Sequence, residues 1–190
     1  MHRASFRVEP ANSIAPRIGW ISSDVCSVST PSYGRYKAFL TLTDDFSRFR
    51  MVYFIRSKLE VINHIKDFLK WFKTRTGQQV YHLHSDGGSE FQNRALQTFL
   101  RSTGCDYSYS APYTPQHNST AERLNRSLLD LARTMIIDSE LSKAVWAEAV
   151  NFAAFALNTT FIIEPQGKTP FEIITGRKPY LGRVLRFGTR

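Results

Sequence analysis

A chain of 190 residues with 42% hydrophobic residues and 14 phenylalanines is long enough for one domain with a sizeable core. Its formal net charge of +9 is spread along the sequence rather than gathered in a tail, which predicts a polyanionic partner, nucleic acid first. No apolar run reaches about eighteen residues, so no membrane span is expected, and MHRASFRVEPANSIAPR at the N-terminus lacks the apolar stretch of a secretory signal.

Residues 1–17 contain Pro and Arg without periodicity and read as a linker. A strand is expected over 18–28, where the apolar run IGWISSD closes on Asp24, with Trp20, Ser22 and Cys26 on the aspartate's face. Strands over 36–43 and 49–55 flank DDFSR, whose turn chemistry predicts an antiparallel meander with Asp44 and Asp45 in structural roles. Ser57-Lys-Leu-Glu60 has the capping-box pattern of a helix start, and Val61, Ile62, Ile65, Phe68, Leu69 and Phe72 follow at helical spacing up to Gly77. A fourth strand over 79–85 closes on Asp86 before the turn DGGS. His82 and His84 share the face of Asp86, and packing or supporting roles suit them better than metal ligation. A short helix over 92–103 ends at Gly104, and a fifth strand covers 105–110. The two free cysteines, Cys26 and Cys105, lie in or beside strands without CxxC spacing and read as reduced, buried thiols of an intracellular protein.

APYTPQHNS, with two prolines and several turn formers, reads as a mobile loop. A helix follows from Ser119 to about Asp138, and another over 142–158 is apolar around most of its circumference. Such a helix is either buried or forms an interface. Trp146 and Phe155 are the large anchors expected on a self-association surface, with burial inside one subunit as the competing outcome. Thr169-Pro170-Phe-Glu172 opens a last short helix that Gly176 closes. The expected organisation is a core over 18–165 with a C-terminal extension over 166–190.

Asp24, Asp86 and Glu122 carry most of the chemical information, and thirty-five residues separate the last two. Two close strands and the third opens a helix, so an α/β sheet can bring them to one point. Carboxylates are the hard oxygen ligands that Mg²⁺ and Mn²⁺ prefer, and a site holding two such ions serves in-line displacement at phosphodiesters. Glu122 has a competing reading, since Ser119-Thr-Ala-Glu122 is itself a capping-box pattern. On a helical wheel Glu122, Arg126, Leu129 and Arg133 share one stripe, which sets two guanidinium groups beside the carboxylate where they can grip phosphate. Leu124, Leu128, Leu131 and Met135 are expected to face the core.

In this order, DVCSV, TLTDDFSRFRMVYFIRSK, HSDGGSEF, PYTPQHNSTAERLNR and KTPFEIITGRKP resemble the catalytic core of retroelement integrases, most closely those of copia-type long-terminal-repeat retrotransposons, over residues 18–188. The resemblance implies an α/β, RNase H-like fold, with a five-stranded mixed sheet flanked by helices. It implies a D,D(35)E polynucleotidyl transferase in which Asp24, Asp86 and Glu122 hold two Mg²⁺ or Mn²⁺ ions. Such an enzyme processes the 3′ ends of element DNA and joins them to target DNA, as a homo-oligomer, in the nucleus after a cytoplasmic particle stage. Asn125 resembles a family position near the element DNA end, and Tyr113 and Gln116 resemble loop positions that help place DNA ends. Integrases of this kind usually carry an upstream His-His-Cys-Cys zinc module. Only His2 and no cysteine precede Asp24, so no zinc-binding module is expected here and the chain reads as an excised core or a truncated element. The family commonly has Gly and Val where this chain has Ser119 and Thr120. Three alternatives remain: a catalytically silent DNA-binding or assembly module derived from an integrase, another RNase H-like nuclease or transposase, and a structural oligomerisation domain for which the apolar 142–158 helix speaks.

Overall fold

The computed structural model describes residues 17–110, 119–182 and 184–189, and of residues 119–122 the backbone alone. Three consecutive strands, β1 (Trp20–Ser27), β2 (Ala38–Asp44) and β3 (Arg50–Ile55), form the expected antiparallel meander. Chain reversal between β2 and β3 is held by Asp44, which is 1% exposed and accepts from the Gly19 amide at 2.6 Å and from the Ser47 amide and hydroxyl at 2.8 and 2.6 Å. β4 (His82–Ser85) and β5 (Asp106–Tyr109) then add in parallel on the other side of β1. The result is a mixed five-stranded sheet in the order β3-β2-β1-β4-β5. A helix precedes each parallel strand, as a crossover connection requires.

Those crossovers are α1 (Val61–Thr76) and α2 (Arg94–Ser102). Ser57 caps a single 3-10 turn over Lys58–Glu60 rather than α1 itself, and Glu60 accepts from the Arg56 amide at 3.4 Å, so the expected capping box is not closed. α1 ends at Gly77, which adopts the left-handed conformation glycine favours. β4 is shorter than the expected 79–85, although Val80 ahead of it is buried. α3 (Ser119–Ser139) and α4 (Trp146–Thr160) pack against each other, and α5 (Pro170–Thr175), the expected last short helix, is closed at its start by a capping box between Thr169 and Glu172.

Two hydrophobic layers result, one on each face of the sheet. Ile21, Leu40, Leu42 and Leu83 meet Ile65, Phe68, Phe72, Leu96 and Leu100, and Ile174 brings α5 into the same core. On the other face Phe39, Val52 and Phe54 meet Leu128, Ala132, Trp146, Ala149, Val150 and Ala153. β2 is buried throughout because both layers cover it. The chain after 176 returns to α3 and α4: Arg186 pairs with Asp138 at 2.6 Å, and Phe187 packs beside Phe152.

Two expectations about helix faces are corrected. Trp146 is 5% exposed, packs against Phe39 and Phe54, and donates its indole N–H to the Thr30 carbonyl at 2.8 Å, so it is a core residue and not an interface anchor. Phe155 remains 40% exposed. On α3 the buried line is Asn125, Leu128 and Ala132, with Leu124, Leu131 and Met135 only half buried. The helix is rolled so that a polar residue joins its packed face.

Candidate active site

The parallel pairing of β1 with β4 sets Trp20 beside His82 and Ser22 beside His84. Asp24 lies two residues beyond Ser22 on β1, and Asp86 two residues beyond His84, just past the end of β4. α3 packs against β1. Asn125, 7% exposed, donates its amide to Asp24 Oδ2 at 2.7 Å and so docks the first turns of α3 onto the aspartate. Glu122 lies one turn earlier on α3. Its side chain lies outside the described residues, as do Tyr113 and Gln116 entirely.

Asp86 directly follows β4 and opens a turn. Its Oδ1 accepts the Gly88 amide at 3.0 Å, while Gly87 takes a left-handed φ of 77°. Gly88 has a separate reason to lack a side chain: a Cβ there would stand 2.9 Å from the Glu90 carboxyl carbon. Glu90, 9% exposed, receives the Lys58 ammonium on both oxygens at 3.0 Å. This ion pair ties the Asp86 turn to the chain leading into α1, a role that reading HSDGGSEF from sequence missed. The nearest signal was a Glu among turn formers, with its cation thirty-two residues away.

His82 and His84 take the supporting roles expected of them. Both share the Ser108 hydroxyl, at 2.7 and 2.8 Å, His84 also reaches Ser110 at 3.1 Å, and His82 stacks on Trp20. Asp45 accepts the Ser22 hydroxyl on both oxygens at 2.9 Å, and burial pushes its carboxyl up to about 6. Cys26 is half buried and Cys105 buried; burial, with Asp24 nearby, pushes the Cys26 thiol up.

Beside Asp24 an open groove of about 540 Å³ is lined by Cys26, Asn125, Arg126, Leu129, Asp130 and Arg133. Arg126 is exposed and its guanidinium has no partner among the described residues, whereas Arg133 reaches Asp130 at 3.3 Å. The stripe of Arg126, Leu129 and Arg133 therefore does border the aspartate. Asn125 has its amide on Asp24 rather than turned out to solvent.

The donor chemistry suits hard divalent ions. Asp24 and Asp86 both offer carboxylate oxygens, and the second oxygen of Asp86 has no hydrogen-bond partner among the described residues. Histidines and cysteines do not complete a cluster: among the described residues no three His, Cys, Asp or Glu side chains gather as a metal site, and the Glu122 carboxylate is not one of those described.

The family model for the integrase core domain matches residues 17–115. The chain is 30% identical over its whole length to the retrovirus-related Pol polyprotein from transposon TNT 1-94 of Nicotiana tabacum, of which it spans 14%. Over 74% of its length it is 32% identical to the transposon Ty1-DR4 Gag-Pol polyprotein of Saccharomyces cerevisiae, of which it spans 8%. Among solved structures, it superposes on the HTLV-2 integrase catalytic core domain in complex with magnesium with a TM-score of 0.62 and 22% identity, over 84% of this chain and 98% of that one. A chain of a simian T-cell lymphotropic virus intasome superposes with a TM-score of 0.67 and 17% identity, over 97% of this chain and 62% of that one. The fold is therefore RNase H-like, as in integrase catalytic cores.

Proposed function

The chain belongs to the integrase core domain family, and on that premise we propose that it is the core of a retrotransposon integrase that trims the 3′ ends of element DNA and joins them to target DNA. The observation that supports this reading is the parallel pairing of β1 with β4 just ahead of Asp24 and Asp86, with Asn125 docking the helix that bears Glu122 onto Asp24. Asp24, Asp86 and Glu122 are the residues that would hold two Mg²⁺ or Mn²⁺ ions, whose chemistry is Lewis-acid stabilisation of charge on the attacking and leaving oxygens of an in-line displacement at phosphorus.

The chain's own groups do the positioning. Asn125 fixes the rotamer of Asp24 by donating to one oxygen. Arg126 and Arg133 grip backbone phosphates along the groove, which holds the scissile bond over the carboxylates. No side chain needs to act as nucleophile, because water and then a DNA 3′-hydroxyl attack in turn. Tyr113 and Gln116, on the segment between β5 and α3, would bear on the DNA ends. Pairing two DNA ends calls for more than one copy of the chain, and the exposed Phe155, Phe161 and Ile162 at the end of α4 offer a surface for it.

The test is Asp86→Asn, which keeps the shape and removes the charge. Strand transfer in Mg²⁺ or Mn²⁺ should vanish while DNA affinity stays close to wild type. Equal loss of both, or retained transfer, would sink the assignment.

A further inference from the structure

A second groove, of about 120 Å³, lies where β1 ends and is lined by Ser27, Lys37, Arg56, Ser57 and Lys58 among others. Ser27 is three residues beyond Asp24, roughly 10 Å along an extended strand, and as the neighbour of Cys26 it faces the other side of the sheet. From this groove we infer that the chain holds a DNA backbone phosphate between Lys37 and Arg56. This phosphate track is distinct from the groove lined by Arg126 and Arg133.

Placement makes the case. β2 and β3 pair Ala38 with Ile55, and the Lys37 amide bonds the Ile55 carbonyl at 3.0 Å. Lys37 directly precedes Ala38 and Arg56 directly follows Ile55, and both line this groove. Like charges that border one groove repel each other, and an anion between them reverses the sign. Lys58 is neutralised by Glu90, so Lys37 and Arg56 carry the groove's excess charge.

Arg56 is also built in place. Its guanidinium lies 4.8 Å over the Tyr36 ring, and its Nε donates to the Gly34 carbonyl at 3.3 Å. Tyr36 in turn packs against Phe54, and a Cβ on Gly34 would come within 2.5 Å of its ring. These contacts orient the fork and leave its terminal nitrogens, like the exposed Lys37 ammonium, with no protein partner among the described residues. A preorganised guanidinium loses little entropy on gripping a phosphate.

This inference rests on the reading that the chain acts on DNA. Its test is the salt dependence of binding to a fluorescently labelled duplex of random sequence. Lys37→Ala with Arg56→Ala should weaken binding at low salt and flatten the log–log salt slope by about one unit, one phosphate's worth of counterions. Arg56→Lys should retain most of the slope. Lys37→Glu, at an exposed position without contacts to lose, should weaken binding more than Lys37→Ala, and it carries the test if the double variant unfolds. Wild-type slopes and affinities in folded Lys37 variants overturn the inference. If Arg126→Ala flattens the slope and the Lys37 variants do not, this groove alone falls and the proposed function is untouched. If the Lys37 variants respond but wild type shows no metal-dependent strand transfer, the groove stands and the function falls. A wild type that binds no duplex overturns both.

Discussion

Asn125 shows how much a single buried amide can decide. It contributes no hydrocarbon to the core, yet it occupies the packed face of α3 because Asp24 accepts its N–H. Partners that orient a metal-holding carboxylate typically matter about 10- to 100-fold for affinity or activity. Asn125→Ala is therefore expected to raise the Mn²⁺ concentration needed for half-maximal strand transfer by at least about tenfold. A changed rate with an unchanged metal requirement would give Asn125 another role, such as direct DNA contact. Asp45 makes a prediction of a different kind. Burial raises its carboxyl from an ordinary 3.8 to about 6, and Asp44 is raised for the same reason against three opposing hydrogen bonds. Between those two values the folded chain binds a proton that the unfolded chain has released, so this carboxyl's contribution to stability falls as pH rises through the window and is level above it. Asp45→Asn should remove that fall. In urea unfolding at stepped pH, the stability of the variant relative to wild type should climb from about pH 4 to about pH 6. A constant difference between the two proteins would mean that Asp45 titrates normally.

At the scale of elements, the edge of the sheet is closed by a side chain. Asn158 on α4 accepts from the Arg50 amide at 2.9 Å and donates to the Arg50 carbonyl at 2.8 Å, standing where a sixth strand would pair with β3. All of these groups are buried. Asn158→Ala leaves both backbone groups without partners and should cost about 1–3 kcal/mol, read as a lower denaturant midpoint. An unchanged midpoint would show that water replaces the amide. The elements themselves were largely legible. Helical spacing up to Gly77 marked α1, and Thr169-Pro170-Phe-Glu172 marked the start of α5. What sequence patterning missed was orientation. Trp146 looked like an interface anchor because α4 is apolar nearly all round, but Phe39 and Phe54, some hundred residues earlier, supply its pocket. The wheel of α3 placed leucines inward and could not place Asn125 there, since no periodicity rewards burying an amide before its partner is known.

For the molecule as a whole, a net charge of +9 predicts steep salt dependence of DNA binding. Arg126→Ala and Arg133→Ala should each flatten the slope by about one unit; unchanged slopes would place those arginines away from DNA. Self-association now rests on Phe155, Phe161 and Ile162, not on Trp146. Sedimentation at micromolar concentration should show oligomers that Phe155→Glu reduces, and a wild type that stays monomeric would argue against this surface.

The chain's order of strands and helices, its basic charge and the places of Asp24 in one strand and Asp86 at the close of another all follow from local pattern, because periodicity and turn chemistry act over a few residues. The tertiary structure alone decided that β1 pairs with β4 just ahead of Asp24 and Asp86, that Asn125 turns inward to meet Asp24, and that Lys37 and Arg56 border one groove. Each is a matter of register between segments far apart in the chain, set by which buried faces fit together, and a one-residue slip would turn every side chain of a strand to the other face.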